Sequence, residues 1–365
     1  MKRALTTIIC IWVFTTLNVF AQSDSTTKRF SITPLPIIVS DPFMGLGFGA
    51  LANANFLTGN VHSTRYSNAQ VYAMKTTNGQ LAAQINHTIF TNNEKYFIQG
   101  KIQYLDWPEN VFAFGGNTSR ENDIERISYK ALEFEERIMR KFGKNNFIGV
   151  QYRLYNCWNV SSNQVDSISF YSKNATGKQS FTSSSLGLHF IHDSRDNVQN
   201  AFKGNYAEVA INPNLKELGS TQYWTNIRVD LRTYKMLNSN LQHPQILAAR
   251  VLYEQAIGDV PYMLMPMFGR YYTTRGYVQG RYRGNSFVST EVEYRAHIWK
   301  AIGGVMFAGA HAVSETDGTY QYINPTAGAG VRIMLNKSQR TNLRVDYAIG
   351  KQNEGGLYLQ VTEAF

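Results

Sequence analysis

Residues Ser286 to Ile298 read S-F-V-S-T-E-V-E-Y-R-A-H-I, and alternate positions differ in chemical character. From Val288 onward every second side chain is apolar, aromatic or threonine. The positions between them carry Ser289, Glu291, Glu293, Arg295 and His297. Successive side chains of a β-strand point to opposite faces, so this period of two predicts a strand with one face suited to lipid and one suited to water.

The same alternation recurs along the chain, clearly at 225–233 and 342–349, and predicts sixteen strands. We predict strands near 30–39, 44–57, 62–76, 79–91, 95–106, 124–141, 146–160, 182–194, 201–212, 221–237, 244–257, 286–298, 301–313, 326–336, 341–349 and 357–365. Connections after even-numbered strands are mostly short, and those after odd-numbered strands are often long. Short turns on one side and long loops on the other are typical of outer-membrane barrels.

A soluble β-sandwich also alternates in sequence. Its inward faces would be apolar, however, whereas these strands combine an apolar face with a charged one. Lipid admits only a closed sheet, because every backbone polar group must be paired there. We therefore predict an all-β fold: a transmembrane antiparallel β-barrel of sixteen strands in the bacterial outer membrane, with both termini periplasmic.

The first residues predict export. Lys2 and Arg3 precede an apolar run that closes on Val19-Phe20-Ala21, which is typical of a secretory signal peptide over residues 1–21. We predict a short periplasmic lead at 22–29 and the barrel at 30–365. Signal-peptide removal leaves Cys157 as the one cysteine, so no intramolecular disulfide is expected.

The net charge is +10, and it falls to +8 without Lys2 and Arg3. A basic balance suits nucleic acid, anionic lipid, or simply a solvated surface. Export argues against nucleic acid, and the other two interpretations stay open. We expect outer-membrane lipid and lipopolysaccharide as partners, together with other outer-membrane or periplasmic proteins, and no cofactor.

The segment Gly269 to Gly284 reads G-R-Y-Y-T-T-R-G-Y-V-Q-G-R-Y-R-G. It carries four glycines, four arginines and four tyrosines, so it predicts a structured loop rather than a strand or packed helix. Buried arginines need acidic partners. We predict that the loop at 258–285 docks against acids inside the barrel, and the alternative is an ordinary exposed loop.

Three segments together resemble the BamA/TamA superfamily of outer-membrane assembly barrels, the bacterial surface antigen family. Arg275-Gly276-Tyr277, followed by the strand 289–295, is similar to its sixth-loop motif and next strand. Asp193-Ser194-Arg195-Asp196-Asn197, with Lys203-Gly204, is similar to its D-x-R-D-N…G turn. The family's last strands are similar to segments 328–333 and 343–347 and to the terminal Phe365. The resemblance implies that Phe365 acts as a C-terminal assembly signal.

The resemblance implies that Arg275 folds into the lumen and pairs with acids of the inner wall. Glu293 matches the family's acid, and Glu291 and Arg295 share its face. Gly309 stands where the family often has an aspartate, so a second anchor is expected to be missing. Family members that assemble other barrels usually carry POTRA modules, and we expect none in this chain.

Pro34 and Pro36 are two residues apart in the first predicted strand. In an extended strand both missing N–H groups would face the same neighbour, which weakens one edge. If that edge meets the last strand, the seam between strands one and sixteen is weak. The alternative places both prolines in an extended lead before the barrel.

No catalytic or metal site is predicted. Glu291 and Glu293 share a face, as acid/base pairs do, but a charge network with Arg295 is the commoner arrangement. His189 and His192 point to opposite faces of a strand and cannot form a simple metal pair. The Asp193, Arg195 and Asp196 cluster, with Gly204, is interpreted as a stabilised turn rather than an ion site.

Three functions remain open. The first is assistance in inserting or translocating proteins, or lipids, at the outer membrane, without enzymatic chemistry. The second is a structural or accessory subunit of a larger outer-membrane complex. The third is a passive channel. Fold alone cannot choose among them.

Overall fold

The computed structural model of the protein describes residues 29–41, 44–118, 125–164, 169–176, 180–269, 274–337 and 340–365. The predicted signal peptide and residues 22–28 of the predicted lead lie outside the described residues. In the described part, sixteen strands form one sheet in which each strand pairs antiparallel with the next along the chain.

The strands have these bounds: β1 (Phe30–Asp41), β2 (Gly45–Phe56), β3 (Ser67–Thr76), β4 (Leu81–Phe90), β5 (Tyr96–Asn110), β6 (Arg126–Phe142), β7 (Asn146–Ser162), β8 (Phe181–Asp193), β9 (Gly204–Asn214), β10 (Trp224–Met236), β11 (Gln245–Gly258), β12 (Ser286–Trp299), β13 (Ile302–Val313), β14 (Asn324–Asn336), β15 (Thr341–Ile349) and β16 (Gly355–Val361). Helical structure in the described ranges comprises α1 (Phe170–Asn174) and single 3-10 turns at Asn92–Glu94, Lys216–Leu218, Tyr262–Leu264 and Lys351–Asn353. None of these helices has the length and apolar character needed to span a membrane.

The alternation in β12 sorts its side chains between the two sides of the sheet. Val292 and Ile298 face outward and are about half to two-thirds exposed, whereas Glu291, Glu293 and Arg295 are buried inside. The other strands repeat this division, so the outer surface is apolar and the interior holds most of the charged groups. This is the arrangement of a barrel whose solvent on the outside is lipid, as the sequence predicted.

An even number of antiparallel strands brings both ends of the sheet to one rim. We call this the terminal rim, and its described residues are 57–66, 91–95, 143–145, 194–203, 237–244, 300–301, 337 and 340. The opposite rim, the loop rim, comprises the described parts of the other connections: 44, 77–80, 111–118, 125, 163–164, 169–176, 180, 215–223, 259–269, 274–285, 314–323 and 350–354. The longest connection lies between β11 and β12, and its described parts, 259–269 and 274–285, turn inward and occupy the interior.

The last predicted strand was too long. It was predicted at 357–365, but β16 ends at Val361, because Thr362 adopts a left-handed φ of 75° that turns the chain off the sheet. Glu363 then points inward, where the Arg332 guanidinium lies 2.7 Å away and the Asn342 amide donates to it at 2.8 Å. Charge pairing inside the barrel therefore overrides the local alternation.

The sheet has one seam, between β1 and β16. Their Cα atoms come within 8 Å of one another, yet no ladder joins them in the described residues, whereas every consecutive pair of strands has one. The two edges also differ in length, with 12 residues in β1 and 7 in β16. At this point β1 and β16 therefore lie close together without a continuous ladder of backbone hydrogen bonds between them.

Candidate functional site

The connection between β11 and β12 forms a plug inside the barrel, described at 259–269 and 274–285. Arg275, Arg281 and Arg283 are each 2% exposed or less, although arginine is rarely buried unless it is paired. Gly276 permits the turn that brings Arg275 inward, because its φ is 98° and a Cβ there would lie 2.9 Å from the Ile349 carbonyl oxygen. The plug is packed against the wall at close range.

Arg275 is the central contact of the plug. Its Nη2 donates to both Glu291 and Glu293 on β12, and its Nη1 donates to Asp346 on β15 at 2.6 Å. The guanidinium carbon also lies 3.5 Å from the centre of the Phe307 ring on β13. Burial opposes the charge of Arg275, but the three carboxylates outweigh it and hold the pKa of the guanidinium above its ordinary value.

Asp346 was not predicted as a partner of Arg275, and its contact corrects the expectation that a second anchor for Arg275 is missing. Gly309 on β13 pairs in register with Glu291 and contributes no acid. Asp346 supplies an acid from β15 instead, and it also accepts from Arg332 at 2.5 Å. Arg275 therefore joins β12 to β15 directly, and the set of carboxylates around it numbers three.

Two further arginines of the plug contact other parts of the wall. Arg281 Nε lies 3.3 Å from Glu354, in the connection between β15 and β16, and the Tyr282 hydroxyl donates to the same carboxylate at 2.8 Å. Arg283 lies 3.4 Å from Glu109, at the end of β5. The anchors lie on well-separated strands, so the plug extends across the interior from one wall to another.

Aromatic rings fill the space around these ion pairs. Phe268, Tyr277, Tyr282 and Phe287 form one buried cluster, with ring centres 5.2–5.6 Å apart where Phe268 contacts the other three. Tyr277 also donates to the Pro325 carbonyl, and its oxygen accepts from the Lys351 backbone N–H at 3.2 Å. Burial raises the pKa of Tyr277 to about 12. This ring cluster excludes water from the charged contacts and strengthens them.

Arg295 connects the wall to the end of the chain. It lies 2.6 Å from Glu293, and its Nη2 donates to the Phe365 carbonyl at 3.0 Å. Phe365 is buried against Tyr234 on β10 and Ala248 on β11, the strand next to β12, rather than on an outer face. Its predicted role as an assembly signal remains a proposal.

The turn motif organises the terminal rim. Asp193 pairs with Arg195 at 2.9 Å and with Arg65, from the connection between β2 and β3, at 2.7 Å. Asp196 accepts from the backbone N–H groups of Phe202 and Lys203 and pairs with Arg340, in the connection between β14 and β15, at 2.7 Å. Gly204 has a φ of 108°. The motif thus ties three connections together as well as closing its own turn.

Pro34 and Pro36 lie within β1 and face Ala52 and Ala50 of β2 in the ladder. The Leu57 backbone N–H donates to the Arg29 carbonyl at 2.9 Å, which fixes the odd-numbered residues of β1 as those bonded to β2. The even-numbered residues, including both prolines, direct their backbone nitrogens the other way. Both missing donors therefore face the seam.

The geometry around Glu291 and Glu293 suits anchoring rather than proton transfer. Both carboxylates are buried and accept from the same guanidinium, which is the arrangement of a structural ion pair. His189 is hydrogen-bonded to Asn212 at 2.9 Å and His192 to Asn146 at 2.8 Å, so these two histidines have separate neighbours. Within the described ranges, no group of three or more His, Cys, Asp or Glu residues could hold a metal ion.

The family follows from a match over most of the chain. Residues 51–365 match the Omp85 superfamily domain. The chain belongs to the Omp85 superfamily. The resemblance predicted from the three motifs is therefore confirmed, and so is the predicted location in the bacterial outer membrane.

Solved structures agree on the fold of this Omp85 barrel. BamA from Haemophilus ducreyi lacking POTRA domains 1–3 is similar with a TM-score of 0.57 at 14% identity, over 92% of this chain and 70% of that one. CdiB from Acinetobacter baumannii is similar with a TM-score of 0.59 at 10% identity, over 92% of this chain and 60% of that one. At these identities the likeness shows the fold alone. No curated protein has a significantly similar sequence.

Several anchors of the Omp85 plug left no local signal in the sequence. Glu109, Asp346 and Glu354 lie far along the chain from the arginines that they bind. Arg65 and Arg340 reach the turn motif from 128 and 144 residues away. Asp346 alternates with apolar neighbours in its strand, and this inward position was its one sequence feature that suited a partner of Arg275.

Proposed function

We propose that this Omp85 barrel assists the insertion or translocation of polypeptides at the outer membrane, and that it acts at the seam between β1 and β16. One observation carries the proposal: Pro34 and Pro36 both turn their nitrogens toward the seam, where the sheet lacks a ladder in the described residues. A seam of this kind can part sideways into lipid without breaking a continuous set of backbone hydrogen bonds.

The missing donors have a measurable cost. A backbone hydrogen bond contributes about 0.5–1.5 kcal/mol net, so two absent donors remove about 1–3 kcal/mol from any pairing that β1 could form with β16. An unpaired strand edge is also a template on which another extended chain can add as a new strand. Both effects favour an edge that opens and accepts a polypeptide.

The plug argues against a passive channel. Its anchors on β5, β12 and β15 and in the connection between β15 and β16 place buried ion pairs and packed rings across the interior. A solute passing straight through would have to break several of these contacts at once. A lateral route at the seam passes between β1 and β16 and does not require passage through the plug.

Depletion in the native bacterium tests the role. We expect the surface levels of other outer-membrane barrels to fall and to recover when the wild-type chain is supplied. Unchanged levels would contradict the proposal.

An accessory role predicts a different result from the purified protein. Purification in mild detergent shows whether other outer-membrane or periplasmic proteins stay bound to the barrel. An accessory subunit would come out with stoichiometric partners and would not accelerate insertion on its own. Activity of the barrel alone separates the two roles.

A further inference from the structure

Two histidines meet at the terminal rim, away from the plug and the seam. His243 lies in the connection between β10 and β11, and His297 lies near the end of β12. Their Nδ1 atoms are 2.8 Å apart, and the ring centres are 4.6 Å apart at an angle of 70°. The pair is exposed to solvent, and His297 is the last polar position of the alternating stretch in β12.

The tautomer of His297 is fixed by its other nitrogen. Nε2 lies 2.7 Å from the Lys300 carbonyl oxygen, which can only accept, so Nε2 carries the hydrogen. The Lys300 carbonyl points toward His297 for two reasons. The strand β12 has a bulge between His297 and Trp299, and Lys300 has a left-handed φ of 50°. Nδ1 of His297 is therefore left with a lone pair aimed at His243.

His243 is held in place by its own turn. The Asn240 side-chain oxygen accepts from the backbone N–H groups of Gln242 and His243, and the Asn238 amide donates to the His243 carbonyl at 2.8 Å. The His297 backbone N–H donates to the Pro244 carbonyl at 3.1 Å, which fixes the two segments relative to each other. The two imidazoles are thus positioned before any ligand arrives.

We propose that His243 and His297 form a binding site for a divalent transition-metal ion, with Nδ1 of each ring as ligand. An imidazole whose second nitrogen donates to a backbone carbonyl is the usual form of a metal-bound histidine. The ion replaces the hydrogen bond between the rings and lies to one side of the line that joins the two Nδ1 atoms, because two bonds of about 2.0 Å do not fit along a line of 2.8 Å. His243 then carries its proton on Nε2 after exchange with water, so no net proton is gained or lost.

The spacing favours particular ions. With metal–nitrogen bonds of about 2.0 Å, two ligands at a right angle lie about 2.8 Å apart, whereas a tetrahedral angle separates them by about 3.3 Å. The observed 2.8 Å matches the right angle, which square-planar Cu²⁺ and Ni²⁺ adopt. Water completes the coordination, and Zn²⁺ requires the rings to open by about 0.5 Å.

The test uses Cu²⁺ and the folded barrel in detergent, purified without a polyhistidine tag. We expect isothermal titration to show one ion bound per chain. His243→Ala and His297→Ala should each weaken binding at least tenfold, and His62→Ala, at another exposed histidine of the terminal rim, should leave it unchanged. Retained heat-modifiable migration on gels shows that each variant is folded.

Electron paramagnetic resonance of the wild-type complex gives a second readout that needs no variant. We expect coupling of Cu²⁺ to two imidazole nitrogens. Absence of binding, coupling to a single nitrogen, or wild-type affinity in either histidine variant would overturn the proposal.

Discussion

The Arg275 guanidinium lies 2.6 Å from the Asp346 carboxylate, although 71 residues separate the two in sequence. Arg275 belongs to the plug, whereas Asp346 belongs to β15, the strand beside β16. The docking of the plug therefore bears on the wall next to the seam. The same guanidinium holds two carboxylates of β12, so one side chain braces two strands that are not neighbours in the sheet.

Removal of this guanidinium should loosen the barrel. Arg275→Ala leaves three buried carboxylates without their shared partner, and breaking a buried pair in this way costs about 3–5 kcal/mol. We expect the variant to unfold at a lower temperature and lower detergent concentration, measured by heat-modifiable migration. Arg140→Ala, at an exposed arginine of β6, is the matched control and should be neutral. Wild-type resistance of Arg275→Ala would mean that the plug is not anchored as described.

The carboxylates should differ in importance. Asp346 contacts Arg275, Arg332 and Arg344, so Asp346→Asn should destabilise the barrel more than Glu291→Gln. Combining Asp346→Asn with Arg275→Ala should cost less than the sum of the two single changes, because the residues share one interaction. Strict additivity in thermal unfolding would contradict the contact.

Gly204, in the turn motif, can be compared with Gly219, in the connection between β9 and β10. Gly204 and Gly219 both have positive φ, at 108° and 95°, so alanine costs about 1–2 kcal/mol of backbone strain at either position. A Cβ at Gly204 would also collide with the Ser194 carbonyl, whereas one at Gly219 has nothing within 4 Å. We expect Gly204→Ala to be clearly the more destabilising in thermal unfolding. Equal effects would show that the turn has room to move.

Tyr277 makes the plug sensitive to alkali. Its pKa is raised to about 12 by burial, from an ordinary value near 10, so the folded barrel holds this proton more tightly than the unfolded chain does. Its contribution to stability is complete below about pH 10 and is lost as the pH rises toward 12. We expect thermal stability to fall over that range, and to fall less in Tyr277→Phe. Identical profiles for the two proteins would contradict the assignment.

The strands were predictable because one physical rule governs them. Every strand between lipid and a polar interior alternates, so the pattern at Ser286 to Ile298 predicted β12 within one residue at its end. The end of β16 was not predictable in this way. Glu363 has the same position in the alternation as the outward-facing Leu357, but the distant Arg332 and Asn342 draw it into the interior.

The plug was half predictable. Clustered arginines in a loop demand acids, and the wall of β12 offered Glu291 and Glu293 on the correct face. The position of Gly309 suggested an incomplete set, because a local motif cannot show which of the remaining inward acids comes near. Asp346 completes the set through the curvature of the barrel, which brings β15 to the same arginine.

The seam is the feature on which the proposed function depends, and its prolines can be changed. Pro34→Ala with Pro36→Ala restores two N–H donors on the edge that faces β16. We expect the seam to become more stable by about 1–3 kcal/mol and to open less often. Pro213→Ala, within β9 and away from the seam, is the matched control.

The most direct measurement is the insertion of an unfolded outer-membrane barrel into liposomes that contain the purified protein. Folding of the inserted barrel is followed by its heat-modifiable migration. We predict faster insertion than in empty liposomes, slower insertion with the double alanine variant, and wild-type rates with Pro213→Ala. Equal rates with and without the wild-type protein would contradict the claim that this barrel assists insertion through its seam.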